Sequence, residues 1–187
     1  GAEVASTRGG RQAHPPIVGK IIYKKLNKKE NKLALCSAIA ATASKDLIES
    51  RGHKIEGIKT FPIVVSNDIE SISKANDISK ILDSLKLTQD VNRLEARKVR
   101  SGQSRLRGRN KKVGKSVLFV TKDTSNLSKA IGSLPGVEVR KVTDLSILDL
   151  APGAHPIRLT VYSKSAIEEI AKIKSTHIEL MVKTQWM

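Results

Sequence analysis

The 187-residue chain carries 34 Lys and Arg against 18 Asp and Glu, a formal net charge of +16, far from an ordinary cytosolic enzyme. Its 39% hydrophobic and 3% aromatic content suits one domain with a core of Ile, Leu, Val and Ala. The lone Cys36 excludes an intrachain disulfide framework and suits a reducing compartment, and no apolar run approaches the roughly twenty residues of a membrane span.

In chain order, residues 1–19 read as loop, with Gly9-Gly10 and Pro15-Pro16 interleaved with Arg8, Arg11 and His14. Prolines favour an extended path, and adjacent glycines let a backbone approach another surface closely. The polar opening GAEVASTRGG without an initiating Met predicts that residues precede Gly1. Asn27 and Glu30 have capping-box spacing, opening one helix that runs without a breaker to Ser50, before Gly52. Cys36 within it reads as a small core residue.

Phe61–Val65 reads as a short buried strand. Ile78, Ile81, Leu82 and Leu85 have helical spacing behind a cap at Asn76 or Asp77, and a further helix is predicted from Thr88 to about Lys98. Beyond residue 115 come strands Val117–Val120, Val137–Val142 and Ile157–Tyr162. They alternate with helices at 126–132, 144–149 and 164–173, around a loop at 151–156. This alternation predicts an α/β fold of three layers, with helices on both faces of a mainly parallel sheet. The tail 174–187 has no readable period.

Charge is concentrated in two places. Residues 1–29 carry a net +6, the strap from Arg97 to Lys115 carries +9, and the remaining 139 residues come to +1. Nine of the strap's nineteen residues are basic, and no Asp or Glu stands between Glu95 and Asp123. Such a segment cannot bury its side chains, and its self-repulsion opposes a compact form without a partner. A polycationic strap on a near-neutral body asks for a polyanion, and RNA supplies a rigid one. Lys and Arg give affinity through the phosphates, and Arg adds a planar fork. Without an aromatic platform, the RNA is recognised by shape and backbone rather than sequence.

Catalytic motifs fail on inspection. Gly114-Lys115-Ser116 ends like a phosphate-binding loop, but Arg109 stands where the earlier glycine belongs, and the segment leads into a strand rather than a helix. The dinucleotide pattern is absent. His14, His53, His155 and His177 stand singly, without metal-ligand spacing. The sequence therefore assigns no catalytic residue, metal or cofactor. An RNA-modifying enzyme on a Rossmann-like sheet would need a glycine-rich cofactor loop after a strand. A free-standing RNA-binding regulator is the other alternative.

Three motifs occur together: Gly9-Gly10-Arg11-Gln12-Ala13-His14-Pro15-Pro16, the run Asn27–Leu35, and Arg100-Ser101-Gly102 with Arg107-Gly108-Arg109. In this order they resemble the family of protein four of the large ribosomal subunit, in its archaeal and eukaryotic form; the compact length favours the archaeal branch. The resemblance covers roughly residues 8–173. It implies a cytoplasmic ribosomal protein that binds large-subunit rRNA, contacts neighbouring subunit proteins and helps line the peptide exit tunnel, with no membrane and no small-molecule substrate. Residues 1–19 become the returning limb of an extended loop, 20–173 an α/β body bearing the strap, and 174–187 a tail that departs from the family ending. The rRNA contacts implied are Arg8, Gly9, Gly10, Arg11, His14 and Lys20 on the limb. On the strap they are Arg97, Lys98, Arg100, Gly102, Arg105, Arg107, Gly108, Arg109, Lys111, Lys112 and Lys115.

Overall fold

Val117, Leu118, Phe119 and Val120 are wholly buried, and successive strand residues point to opposite faces. Both faces of this strand are therefore covered, as in a parallel sheet enclosed by helices. In the computed structural model, which describes residues 2–94, 98–155 and 157–172, this segment is the strand β4, Leu118–Thr121. The other strands of its sheet are β1 (Ile63–Val65), β5 (Glu138–Lys141) and β6 (Thr160–Ser163). They pair in the order β1-β6-β4-β5, all in parallel, with Phe119 opposite both Val139 and Val161. The expected α/β class and parallel pairing are met by this sheet. The helices are α1 (Lys28–Ala41), α2 (Lys45–Ser50), α3 (Ala75–Ser84), α4 (Thr88–Asn92), α5 (Gln103–Leu106), α6 (Leu127–Ile131), α7 (Ile147–Leu150) and α8 (Lys164–Ile170).

The helix expected from residue 28 to Ser50 is two helices, broken at Thr42. Thr42 is buried, and its hydroxyl donates to the Ile39 carbonyl (2.7 Å) while accepting from the Tyr162 hydroxyl (3.2 Å). A threonine hydroxyl bonded back three residues competes with the helical ladder, and the partner on β6 is invisible in a linear reading. Asn27 does occupy the cap position, but its amide donates to Glu30 (3.3 Å) instead of capping a backbone N–H. A reciprocal capping box forms elsewhere, between Ser146 and Asp149 at α7.

α3 begins two residues early, behind Lys74, so Asp77 lies in the first turn rather than at the cap; a carboxylate there favours the helix dipole. The helix expected to reach Lys98 ends at Asn92, and Lys98–Val99 is a strand, β2. The last strand begins at Thr160 rather than Ile157, because Arg158 N donates to the Leu150 carbonyl (2.8 Å) and the side chain turns inward. The tail 174–187, Arg97 and the end of the last expected helix at Ile173 lie outside the described residues.

Candidate nucleic-acid interface

The strap leaves the sheet at the amino-terminal ends of its strands. β2 and β3 (Lys111–Lys112) pair antiparallel, with Lys98 in register with Lys112 and Val99 with Lys111. Arg100 N donates to the Asn110 carbonyl (2.9 Å), and the one-turn helix α5 forms the tip. The strap thus has a local fold, which the charge argument did not foresee. A ribbon satisfies backbone groups while the cations of its tip and of β3 stay in water.

Arg105, Arg107, Arg109, Lys111 and Lys112 are exposed, and none has an acidic partner among the described residues. Gly102 (φ 64°, ψ −152°) occupies a region open almost only to glycine, and nothing lies within 4 Å of where its Cβ would sit. Arg100 is half-buried, with its Nε unpartnered among the described residues. Lys115, at the exit of the strap, pairs with Glu138.

A two-stranded ribbon this short is marginal by itself, as is a single helical turn. Amides 103–112 are therefore expected to exchange with solvent within seconds to minutes in the free protein, and to be protected when RNA is added. Hydrogen exchange read residue by residue checks this; slow exchange there without RNA would contradict it.

The limb residues Arg8, Gly9, Arg11, His14 and Lys20 are exposed and Gly10 is half-buried, in a segment without helix or strand. Its shape is set by local bonds: Gly10 N to Thr7 O (3.0 Å), Arg11 N to Ala2 O (2.8 Å) and Arg11 Nε to Glu3 O (3.1 Å). Residues 20–27, grouped by sequence with the body, contribute no buried side chain. Ile21, Ile22, Tyr23 and Leu26 are all at least 72% exposed, so this apolar stretch lacks a covering surface among the described residues.

Beneath the strap lies a polar network that sequence reading missed. Asp90 is wholly buried. It accepts from Ser116 Oγ (2.6 Å), Arg93 Nε (3.0 Å), Lys54 N (3.0 Å) and His53 Nδ1 (3.0 Å). His53 Nε2 accepts from Leu159 N (3.4 Å), which leaves the imidazole proton on Nδ1 to donate to Asp90. Burial by itself would raise the Asp90 carboxyl, but the bonds from His53, Ser116 and Arg93 hold it far below the usual carboxylate range. Arg158, also wholly buried, donates to the carbonyls of Ser116, Val117 (3.2 Å) and Gly136 (2.7 Å) and to Glu138 (2.7 Å). Burial draws its pKa below the ordinary value, partly offset by Glu138. The sequence signal for Arg158 was a lone charge inside Ile157-Arg158-Leu159.

At the opposite end of the sheet, β4 and β6 are adjacent although the chain passes through β5 between them. Open α/β sheets place ligands in such a crevice, outside the carboxyl ends of the strands. Here Glu70 fills it. Its carboxylate accepts from Ser163 Oγ (2.7 Å), Ser165 Oγ (2.5 Å), Lys122 N (3.1 Å) and Asp123 N (3.3 Å). Burial opposes its ionisation, but these donors prevail and keep its pKa low. The N–H groups that would meet a phosphate are thus satisfied by the chain's own anion. Gly114-Lys115-Ser116 leads into β4, as expected, and forms no phosphate loop.

The sequence model of the ribosomal protein L4/L1 family matches residues 2–173. The chain belongs to this family. It is similar to the large ribosomal subunit protein uL4 of three archaea among others. With that of Sulfurisphaera tokodaii it shares 44% identity over 169 residues, 89% of this chain and 63% of the relative. With that of Methanococcus aeolicus the identity is 43% over 173 residues, covering 92% and 69%. With that of Pyrobaculum aerophilum it is 45% over 172 residues, covering 91% and 61%. The L4/L1-family chain thus spans about two thirds of the length of these relatives. The match includes the limb, the strap and the buried network beneath it, so the resemblance read from the three motifs holds over the whole α/β body.

Proposed function

We propose that the chain is a structural, non-catalytic constituent of the large ribosomal subunit. It is held on rRNA by the strap 97–115 and the limb 1–19, touches neighbouring subunit proteins, and contributes to the wall of the peptide exit tunnel. The observation that carries the reading is the strap. Its exposed cations Arg105, Arg107, Arg109, Lys111 and Lys112 lack acidic partners among the described residues and project from a body anchored by a satisfied polar network. Such a surface gains affinity by neutralising phosphates and releasing their counterions, and the relatives named above are large-subunit proteins. Glu70 in the sheet crevice removes the position on which a cofactor-binding enzyme would depend.

The limb separates a structural subunit from a free-standing regulator. Residues 1–16 supply no core side chain, so their removal should leave the midpoint of thermal unfolding within about 2 °C. Sedimentation of tagged protein from a lysate should place the full chain with large subunits and the truncated chain there less efficiently. If the truncated chain assembles equally and protects the same rRNA nucleotides, the limb has no part in binding. If the full chain does not travel with large subunits, the proposal fails.

A further inference from the structure

The connection from β1 to α3 reaches across the end of the sheet. Asn67–Ser71 forms a short 3-10 helix whose Ile69 is buried in the core, and this holds the next residue, Glu70, over the carboxyl ends of β4 and β6. The donors that Glu70 meets there lie 52 to 95 residues further along the chain. Lys122 N and Asp123 N are consecutive amides at the exit of β4, and successive N–H groups in a turn form a concavity for an anion. Ser163 and Ser165 follow from the end of β6. Ser163 is wholly buried, and its oxygen accepts from Ala166 N (3.2 Å), so its one hydrogen is left to donate to the carboxylate.

The donors do not depend on Glu70 for their position. β4 is hydrogen-bonded to a strand on each side, and Ser163 stands in register with Val65 of β1. The neighbouring charged groups are turned to other partners. The Lys122 ammonium lies beside Glu169 (3.6 Å), Asp123 accepts from Ser125 N and Oγ (both 3.2 Å), and Asp68 accepts from Ser66 Oγ (3.0 Å). The four bonds to Glu70 come from neutral groups, two amides and two hydroxyls. Such a set recognises a carboxylate by shape as well as by charge.

We propose that this crevice is a preformed binding site for a small carboxylate, and that Glu70 is its tethered ligand. Held by Ile69, and by Asn67 Oδ1 accepting from Ser165 N (2.8 Å), Glu70 meets the donors as an intramolecular group and excludes a free carboxylate from the intact chain. By filling the site it pins the β1–α3 connection to the ends of β4 and β6. With the Glu70 side chain removed, the same four donors receive a free carboxylate. No RNA and no strap residue takes part, so the site stands whether or not the chain assembles into a large subunit.

The test is thermal unfolding of the full chain and of its Glu70→Ala and Glu70→Gln variants, each titrated with sodium formate at constant ionic strength. Formate is a carboxylate small enough for the space that alanine leaves. Glu70→Ala should lower the unfolding midpoint by roughly 5 °C, and about 200 mM formate should return at least half of that loss along a saturating curve. The Lys122 and Asp123 amide signals of the alanine variant should shift with formate in NMR spectra, while those of the parent chain stand still. Glu70→Gln keeps the crevice filled, so formate should leave its midpoint unchanged. Adding Ser165→Ala to Glu70→Ala should weaken formate binding about fivefold. If Glu70→Ala is unfolded in plain buffer, recovery of its circular dichroism in formate supports the site, and no recovery overturns it. A midpoint that formate does not move in Glu70→Ala, or moves equally in all three chains, also overturns the proposal.

Discussion

Replacing Arg158 with Met is expected to destabilise the protein by about 3–5 kcal/mol, the range for removing one partner of a buried charge pair. Methionine fills a similar volume but donates nothing. The carbonyls of Ser116, Val117 and Gly136 would each lose a donor they share with Arg158, and an unsatisfied buried carbonyl costs about 1–3 kcal/mol. Not all of those costs add, because Gly136 O also accepts from Ser116 N (2.8 Å) and Val117 O from Glu138 N (3.1 Å). Glu138 would keep Lys115 and its partial exposure to water. Urea unfolding of the full chain gives the number; a loss below about 1 kcal/mol would mean that water replaces the guanidinium. Glu138→Gln should cost clearly less, since the Glu138 side chain is 31% exposed and leaves Arg158 its three carbonyls. The comparison isolates the backbone contacts as the larger contribution.

Alanine at Arg105, Arg107 and Arg109 should have the largest effect on RNA binding with almost none on folding. The three side chains are exposed, and their backbone bonds, Arg107 N to Gln103 O and Arg109 N to Ser104 O (both 3.0 Å), need no side chain. If the strap and limb neutralise about 8–10 phosphates, log K falls with log salt at a slope of roughly −7 to −9, and losing three contacts flattens it by about 2–3. Between 50 and 200 mM salt the triple variant should then lose roughly 15- to 60-fold less affinity than the parent chain loses. Binding to large-subunit rRNA fragments across that range, with circular dichroism as the folding control, reads both quantities. An unchanged slope would place the main contact elsewhere, with the limb as the next segment to test.

The sequence by itself determined the class of the fold and the location of the charge. Strands at 117–120, 137–142 and 157–162 alternating with helical segments specify βαβ units and a parallel sheet, and of the three only 117–120 reads as the continuous apolar stretch of a strand buried on both faces. A nineteen-residue segment with nine basic side chains and no acidic one has to face water or a polyanion, whatever the fold around it. Local pattern also located the cap at Asn27 and ruled out a phosphate loop at Gly114-Lys115-Ser116. Tertiary structure decided the rest. The break at Thr42 depends on Tyr162, 120 residues away. Asp90, His53, Ser116 and Arg158 are not joined by a linear reading because each has a partner at least 26 residues away. The occupation of the sheet crevice by Glu70 depends on strand order, which places the end of β4 beside that of β6. Periodicity records which way a side chain faces, and charge density records what it cannot bury. Which distant group satisfies a buried carboxylate or guanidinium is settled only when the strands are assembled side by side.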